Sequence, residues 1–322
     1  MKLYIIGNGF DLAHHIPTRY INFKEYLSDI YGGDFEGRDS ILETTMTQDG
    51  DNKAVVDTVA DLIRYTMSNL DDPNWNNFED NLARIDFDSQ FDFVGTEDEN
   101  HPSRQYDNIE DRLEAVKTGL YEIKTLFAEW VETIDISKVK PIERLSKEIT
   151  SQDLFLNFNY TETLEDVYKI NTNSVCHIHG KMGSDIVVGH GDDNPYATSL
   201  HYYGTFDYGF DFAKSILRKN VDKAYKENKG FFDKVGESSI SQFVFYGFSF
   251  SSIDTFYLNK VIELVRPNCK VAFTNYDFIN DNIIHFLATL KKIDTDNKLL
   301  LEKYEIVFNW SYRAENIVLY SI

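Results

Sequence analysis

The stretch Lys2-Leu3-Tyr4-Ile5-Ile6-Gly7-Asn8-Gly9-Phe10-Asp11 decides the fold. Residues 2–6 are a short apolar run that stops at a glycine, the pattern of a buried strand feeding a turn. Beyond the turn, Phe23, Tyr26, Leu27 and Ile30 recur at helical spacing, and Gly32-Gly33 marks a stop. Strand, glycine turn and helix in that order open an α/β unit. Gly7 and Gly9 let the backbone approach a ligand closely, and the following helix N-terminus directs N–H groups at a phosphate. A full dinucleotide fingerprint needs a third glycine, and Leu12 stands in its place. A tight turn with Asp11 as a helix cap accounts for the same residues equally well.

Outward from this unit the hydrophobic period changes twice. From about 52 to 148 it is helical: Val55, Val56, Val59, Leu62 and Ile63 share one face, as do Leu113, Val116, Leu120, Ile123 and Phe127. Residues 94–107, polar and with a proline, read as a loop between these helices. After residue 150 short β-type runs appear at 153–158, 175–179, 185–189, 242–247, 269–275, 304–310 and 317–321. Helical stretches at 252–265 and 276–291 follow two of them. The strands are rich in Val, Ile and Phe without clean alternation, which suits a sheet covered on both faces. The expectation is an α/β core from residues 1–35 and 150–322, interrupted by a helical insertion over 36–149.

Composition narrows the partners. The 322 residues carry 32 Lys plus Arg against 53 Asp plus Glu, a net charge of −21. Such a surface repels phosphate backbones and anionic headgroups, so neither nucleic acid nor membrane is an expected partner. With 42% hydrophobic and 15% aromatic residues the chain can bury a sizeable core. No stretch approaches the ~18 apolar residues of a membrane span. The opening apolar run is too short for a signal peptide, and a cytoplasmic location is expected. The 2 cysteines, Cys176 and Cys269, form no C-x-x-C pair, which excludes a disulfide scaffold and a four-cysteine zinc ribbon.

Polar residues cluster where strands end. Asn159, in Asn157-Phe158-Asn159-Tyr160-Thr161, offers an amide suited to a ribose hydroxyl or a water, or else caps the helix that begins near Thr161. His177 and His179 would share one face of a continuing strand, so a metal pair is conceivable, but no third ligand is in sight. A single histidine open to a ligand is the better reading, against two structural histidines. His190 sits in a loop that lines the same mouth or is simple turn chemistry. Gly247-Phe248-Ser249-Phe250-Ser251 with Asp254, and Thr274-Asn275-Tyr276-Asp277, each join an apolar strand to a helix and suit a ribose or pyrophosphate.

Together these motifs resemble known families. The stretch 7–18 is similar to the sirtuin opening G-A-G-x-S-x-x-x-G-I-P, with Gly7, Gly9, Ile16 and Pro17 at matching spacing. Asn159 matches the asparagine of the sirtuin N-I-D motif, and His179-Gly180 the pair that carries the catalytic histidine. Gly247 and Ser249 resemble the later G-x-S segment, and Asn275 the asparagine that closes around the adenosine. More specifically, GNGFDLAHHIPTRY (7–20), NFNYTETLE (157–165), HIHGKM (177–182) and GFSFSSID (247–254) resemble the AbiH family of bacterial phage-abortive-infection proteins. This likeness runs in order through most of the chain.

The resemblance implies a sirtuin-like Rossmann-type parallel sheet that binds NAD as substrate, with no metal. It implies a nucleotide site of Gly7, Asn8, Gly9, Phe10, Pro17, Gly247, Ser249 and Asn275. Catalysis would fall to Asn159, His179 and Asp11, and a second copy of the chain or a phage-derived trigger would be the protein partner. Asp11 stands where sirtuins carry a serine, Thr161 replaces the aspartate of N-I-D, Tyr20 replaces an arginine, and the zinc-module cysteines are missing. These departures disfavour NAD-dependent deacylation and leave hydrolysis of the nicotinamide–ribose bond. The other reading is a non-hydrolysing NAD or ADP-ribose sensor that gates a partner. In the hydrolase, nicotinamide leaves as a neutral base, so the protein has only to stabilise an oxocarbenium-like ribose and present a water. Asp11 would offset the charge or bind ribose hydroxyls, Asn159 position the water, and His179 take a proton. An unperturbed imidazole, with a pKa of roughly 6.5, is a usable base near neutral pH.

Overall fold

The computed structural model describes residues 1–31, 44–46, 52–54, 78–82, 118–191, 215–251, 253–274 and 283–307. Its centre is a 6-stranded sheet of β1 (Lys2–Ile6), β4 (Leu154–Asn157), β5 (Val175–His177), β6 (Gln242–Tyr246), β7 (Cys269–Thr274) and β8 (Leu299–Val307). Strands β2 (Thr44–Met46) and β3 (Asn52–Ala54) form a separate antiparallel pair. In the large sheet every pairing is parallel, in the order β5-β4-β1-β6-β7-β8. Counted along the chain, that is the 3-2-1-4-5-6 order of doubly wound nucleotide-binding folds. The order reverses between β1 and β6, and in such sheets ligands gather at the carboxyl edge of that switch point.

The apolar strands are buried because both faces are covered, as their lack of alternation predicts. Leu3, Ile5, Leu154, Leu156, Phe243, Phe245, Val271 and Phe273 point to one face. They meet Ala224, Phe232 and Val235 of the helices Val221–Glu227 and Lys229–Glu237, together with the helices Thr255–Leu264 and Ile283–Ile293. Tyr4, Ile6, Phe155, Val244 and Tyr246 point to the other face. There they meet Phe10 of α1 (Asn8–Ala13), Leu145 of the helix Glu143–Glu148 and Leu164 of the helix Thr163–Asp166.

Packing groups the chain into two compact units. The first takes Met1–Thr18, Thr133–Ile186 and Asn220–Ile322, and holds the whole large sheet. The second takes Arg19–Glu132 and Val187–Lys219. In it Phe23 of α2 (Tyr20–Tyr31) packs at 5.1 Å from Phe127 and 5.5 Å from both Phe78 and Trp130. Leu120, Ile123 and Phe127 are fully buried on the helical residues 118–132, the face that their spacing predicts. A nearly buried Lys219 pairs with Glu79 at 2.9 Å, and Glu79 also accepts from the Gly189 amide at 3.3 Å.

Several expected elements come out differently. Asn52–Ala54 is a strand, not the start of a helix, and it pairs with Thr44–Met46. Asp49-Gly50 between them is the composition of a reversal. Residues 185–189 do not form a strand. The chain turns at Gly180, φ +78°, and lays the Asp185 carbonyl so close that a Cβ on Gly180 would sit 2.1 Å from it. Strand β8 begins at Leu299, earlier than 304. Glu302 and Lys303 within it hide it in an apolarity reading. Ile30 is 47% exposed, at the end of the helix whose Phe23 and Leu27 are buried. Residues 55–77, 94–107, 276–282 and 317–321 lie outside the described residues. Among the described residues no helix is long and apolar enough to cross a membrane.

Candidate active site

The carboxyl edge of the sheet gathers the polar residues of the first unit. The turn after β1 is closed by backbone: Gly7 N–H donates to Tyr246 O and Gly9 N–H to Gly247 O, both at 3.0 Å. A Cβ on Gly7 would lie 2.4 Å from Gly247 O, and one on Gly247 would lie 2.3 Å from Gly9 Cα. Gly247 also sits at φ +61°, where a side chain is strained. These glycines are therefore required by the contact between the two turns. Phe10 is buried against His14 and Tyr246 in the core, whereas Asn8 is exposed and exchanges two hydrogen bonds with Thr18. Pro17 and Ser249 are exposed, and Asn275 lies outside the described residues.

Asp11 is fully buried inside α1 and does not cap it; the cap position is Gly7. Thr161 Oγ1 donates to Asp11 Oδ2 at 2.6 Å, and Thr163 Oγ1 to Oδ1 at 3.1 Å. The two hydroxyls are 3.0 Å apart. Three contacts close a ring, and only a protonated Asp11 supplies a third proton to fill them all. Burial, the largest cause, pushes the Asp11 carboxyl up to about 6; hydrogen bonds from Thr161, Thr163 and Asn159 pull it back, as does His177.

Asn159 is locked from three sides. Its Nδ2 donates to Gly7 O at 3.1 Å, its backbone N–H donates to Asn157 Oδ1 at 3.0 Å, and its carbonyl faces His177 Nδ1 at 3.1 Å. It caps no helix; Glu162 precedes the helix Thr163–Asp166. The structure thus joins Asn159 and Asp11 around the β1 turn.

The two histidines of the 177–182 motif part company, because β5 ends at His177. A continuing strand would have put them on one face; the turn sends them to different partners. His177 Nδ1 lies 3.1 Å from the Asn159 carbonyl and 3.5 Å from Asn157 Nδ2, while Nε2 meets Glu165 Oε1 at 2.9 Å. His179 is 3% exposed and walled by Phe158, Tyr160 and Tyr257, with ring centroids 5.4, 6.4 and 6.1 Å away. Its Nε2 lies 3.1 Å from Asp254 Oδ1.

A family model described as bacteriophage abortive infection AbiH matches residues 3–276. The chain belongs to the AbiH family. No curated protein and no solved structure matches it.

In this AbiH chain the match spans the glycine turn, the Asn159 loop, both histidines and Asp254. Glu165 is the site residue that the sequence did not single out, although its place in NFNYTETLE, on the short helix after β4, was the available signal. Asp254 stood in a recognised motif, but nothing in sequence ties it to a histidine 75 positions earlier. His190 belongs to the second unit, bridged to Arg218. Beside the site a cavity of about 430 Å³ opens between residues 134–139, the 162–169 segment and Met182. Met182 N–H donates to Tyr160 O at 2.9 Å, which ties this wall to the loop of Asn159. Among the described residues no group of 3 or more His, Cys, Asp or Glu is arranged to hold a metal ion. Cys176 and Cys269 are buried, and burial pushes each thiol up to about 12, far from nucleophilic.

Proposed function

We propose that this AbiH-family protein is an NAD glycohydrolase, acting without a metal in the cytoplasm of a phage-infected cell. The observation that carries the reading is a buried histidine, His179, set beside a carboxylate at the carboxyl edge of a 3-2-1-4-5-6 sheet. That edge is where a doubly wound sheet takes a nucleotide, and histidine is the side chain most often used as a general base. The likeness of the glycine turn, Asn159 and His179-Gly180 to a sirtuin-like NAD-binding core supports the same ligand. In this reading Asn159 holds the attacking water and His179 removes a proton from that water or from a ribose hydroxyl. Asp11, whose oxygens are taken by Thr161 and Thr163, serves by fixing Asn159 and the β1 turn.

One observation favours the sensor reading instead. Gly9 N–H and Asn159 Nδ2 are already spent on Gly247 and Gly7, so a nucleotide at the switch point must displace them. A sensor binds NAD or ADP-ribose without releasing nicotinamide.

The deciding experiment measures nicotinamide release and melting temperature on the same samples. Asn159→Ala and His179→Ala should each lower turnover by ~10²–10⁴-fold. Acting as a unit, the pair should make the double mutant little worse than the worse single one. Single mutants that keep full turnover would refute the assignment, and binding of NAD without any release would pass the site to the sensor.

A further inference from the structure

Asp254 immediately precedes the helix Thr255–Leu264, where an aspartate ordinarily caps the helix by accepting from its first amides. Here it makes no such bond, and its own backbone is already helical, at φ −76° and ψ −19°. The side chain is turned away from its helix. Oδ2 accepts from Ser251 Oγ at 2.7 Å, and the Asp254 backbone N–H reaches the same oxygen at 3.3 Å. Oδ1 lies 3.1 Å from His179 Nε2, with the two side chains 11% and 4% exposed. The approach is within ion-pair range but off the hydrogen-bonding direction, as catalytic pairs often are before a ligand tightens them. The segment that delivers this carboxylate is itself strained. Phe250, directly before Ser251, is a buried aromatic residue at φ +57°, a conformation that such residues rarely adopt.

A forgone cap, an anchored carboxylate and a left-handed phenylalanine all serve one placement. We propose that Asp254 is the positioning residue for His179. Its carboxylate, an acceptor only, holds the Nε2–H tautomer and leaves Nδ1 as the basic nitrogen. When Nδ1 takes the proton of the water or ribose hydroxyl, the Asp254 charge stabilises the imidazolium that forms. His177 does not offer a free nitrogen for this role, because its Nδ1 faces the Asn159 carbonyl and its Nε2 meets Glu165. The catalytic half of this proposal rests on the hydrolase reading; the tautomer half does not.

The test uses full-length protein labelled with ¹⁵N-histidine, with the His179 ring assigned by its loss in His179→Gln. In the native protein the neutral ring should be protonated on Nε2. Asp254→Asn replaces the acceptor by an amide that donates to Nε2 and should move the proton to Nδ1. Nicotinamide release should then fall by roughly 10²–10⁴-fold in kcat, with KM changed by less than about threefold. Ser251→Ala, which frees Oδ2 without touching the histidine, should leave the tautomer mixed and cost roughly tenfold. A native ring protonated on Nδ1, or an Asp254→Asn ring identical to the native one, would overturn the proposal. So would unchanged kcat in a folded Asp254→Asn protein. The expected tautomers in a protein that releases no nicotinamide would uphold the pairing and overturn the hydrolase reading alone.

Discussion

At the turns after β1 and β6, backbone touches backbone: Gly7 and Gly247 leave no room for a side chain, and amides of the first turn donate to carbonyls of Tyr246 and Gly247. At the loops after β4 and β5, a few ångströms of chain further along the same edge, side chains fill the space. Asn159, His177, Glu165 and Asp11 with its two threonines are nearly all paired there, and His179 stands beside Asp254. The first region resembles a phosphate cradle by composition yet works as a weld between neighbouring strands. The second also turns on a glycine, Gly180, but it is side chains that fill it, titratable groups among them. A glycine turn at a switch point is thus a necessity of close packing before it is evidence of a ligand, while buried polar side chains are costly and point to chemistry.

The largest effect should come from breaking the weld. Gly247→Ala sets a Cβ 2.3 Å from Gly9 Cα at φ +61°, so a left-handed penalty adds to overpacking. A loss of about 4 kcal/mol in urea unfolding is expected. A loss below about 1 kcal/mol would show that the two turns are not in contact.

Next in size is a pH effect on the other side of β1. With its carboxyl raised from 3.8 to about 6 by burial, Asp11 stabilises the native state fully below pH ~4 and loses that contribution as pH rises through ~6. The difference amounts to up to about 3 kcal/mol. Asp11→Asn, neutral throughout, should be costly at pH 4 and progressively less so, relative to wild type, by pH ~7. A cost that is the same at both pH values would mean that Asp11 is ionised in the fold.

The smallest effect sharpens the comparison from the exposed rim. Asn8→Ala removes two hydrogen bonds to Thr18 that are open to water, and about 1 kcal/mol or less should be lost in the same unfolding assay. A cost as large as that of Gly247→Ala would mean that the turn is held by side chains after all.

Much of the core was legible. The apolar runs at β1, β4, β6 and β7 need no partner to be recognised, because a strand buried on both faces must be apolar at nearly every position. The helix carrying Leu120, Ile123 and Phe127 was equally plain from its period. Less legible were β8, whose apolar run is broken by Glu302 and Lys303, and 185–189, where a β-like composition yielded to the turn at Gly180. The candidate site was half visible. Asn159, His179 and Asp11 stood out by residue type and place, but nothing in sequence ties Asp11 to Thr161 and Thr163, whose hydroxyls donate to its two oxygens.

The amino-acid order by itself determined where β1, β4, β6 and β7 run, which residues near their ends can donate, accept or titrate, and that the sheet is parallel and buried. Those properties are local: a period, a glycine or an imidazole is present whatever surrounds it. Tertiary structure decided the pairings, Gly7 with Gly247, Glu165 with His177, Asp254 with His179. The residues of these pairs lie from about a dozen to more than two hundred positions apart. Only the 3-2-1-4-5-6 order, which sets β4 and β6 on either side of β1, brings the turns and loops of one edge within reach of each other. Whether a histidine is a base or a strut depends on the acceptor about 3 Å away, and that distance is a property of the fold.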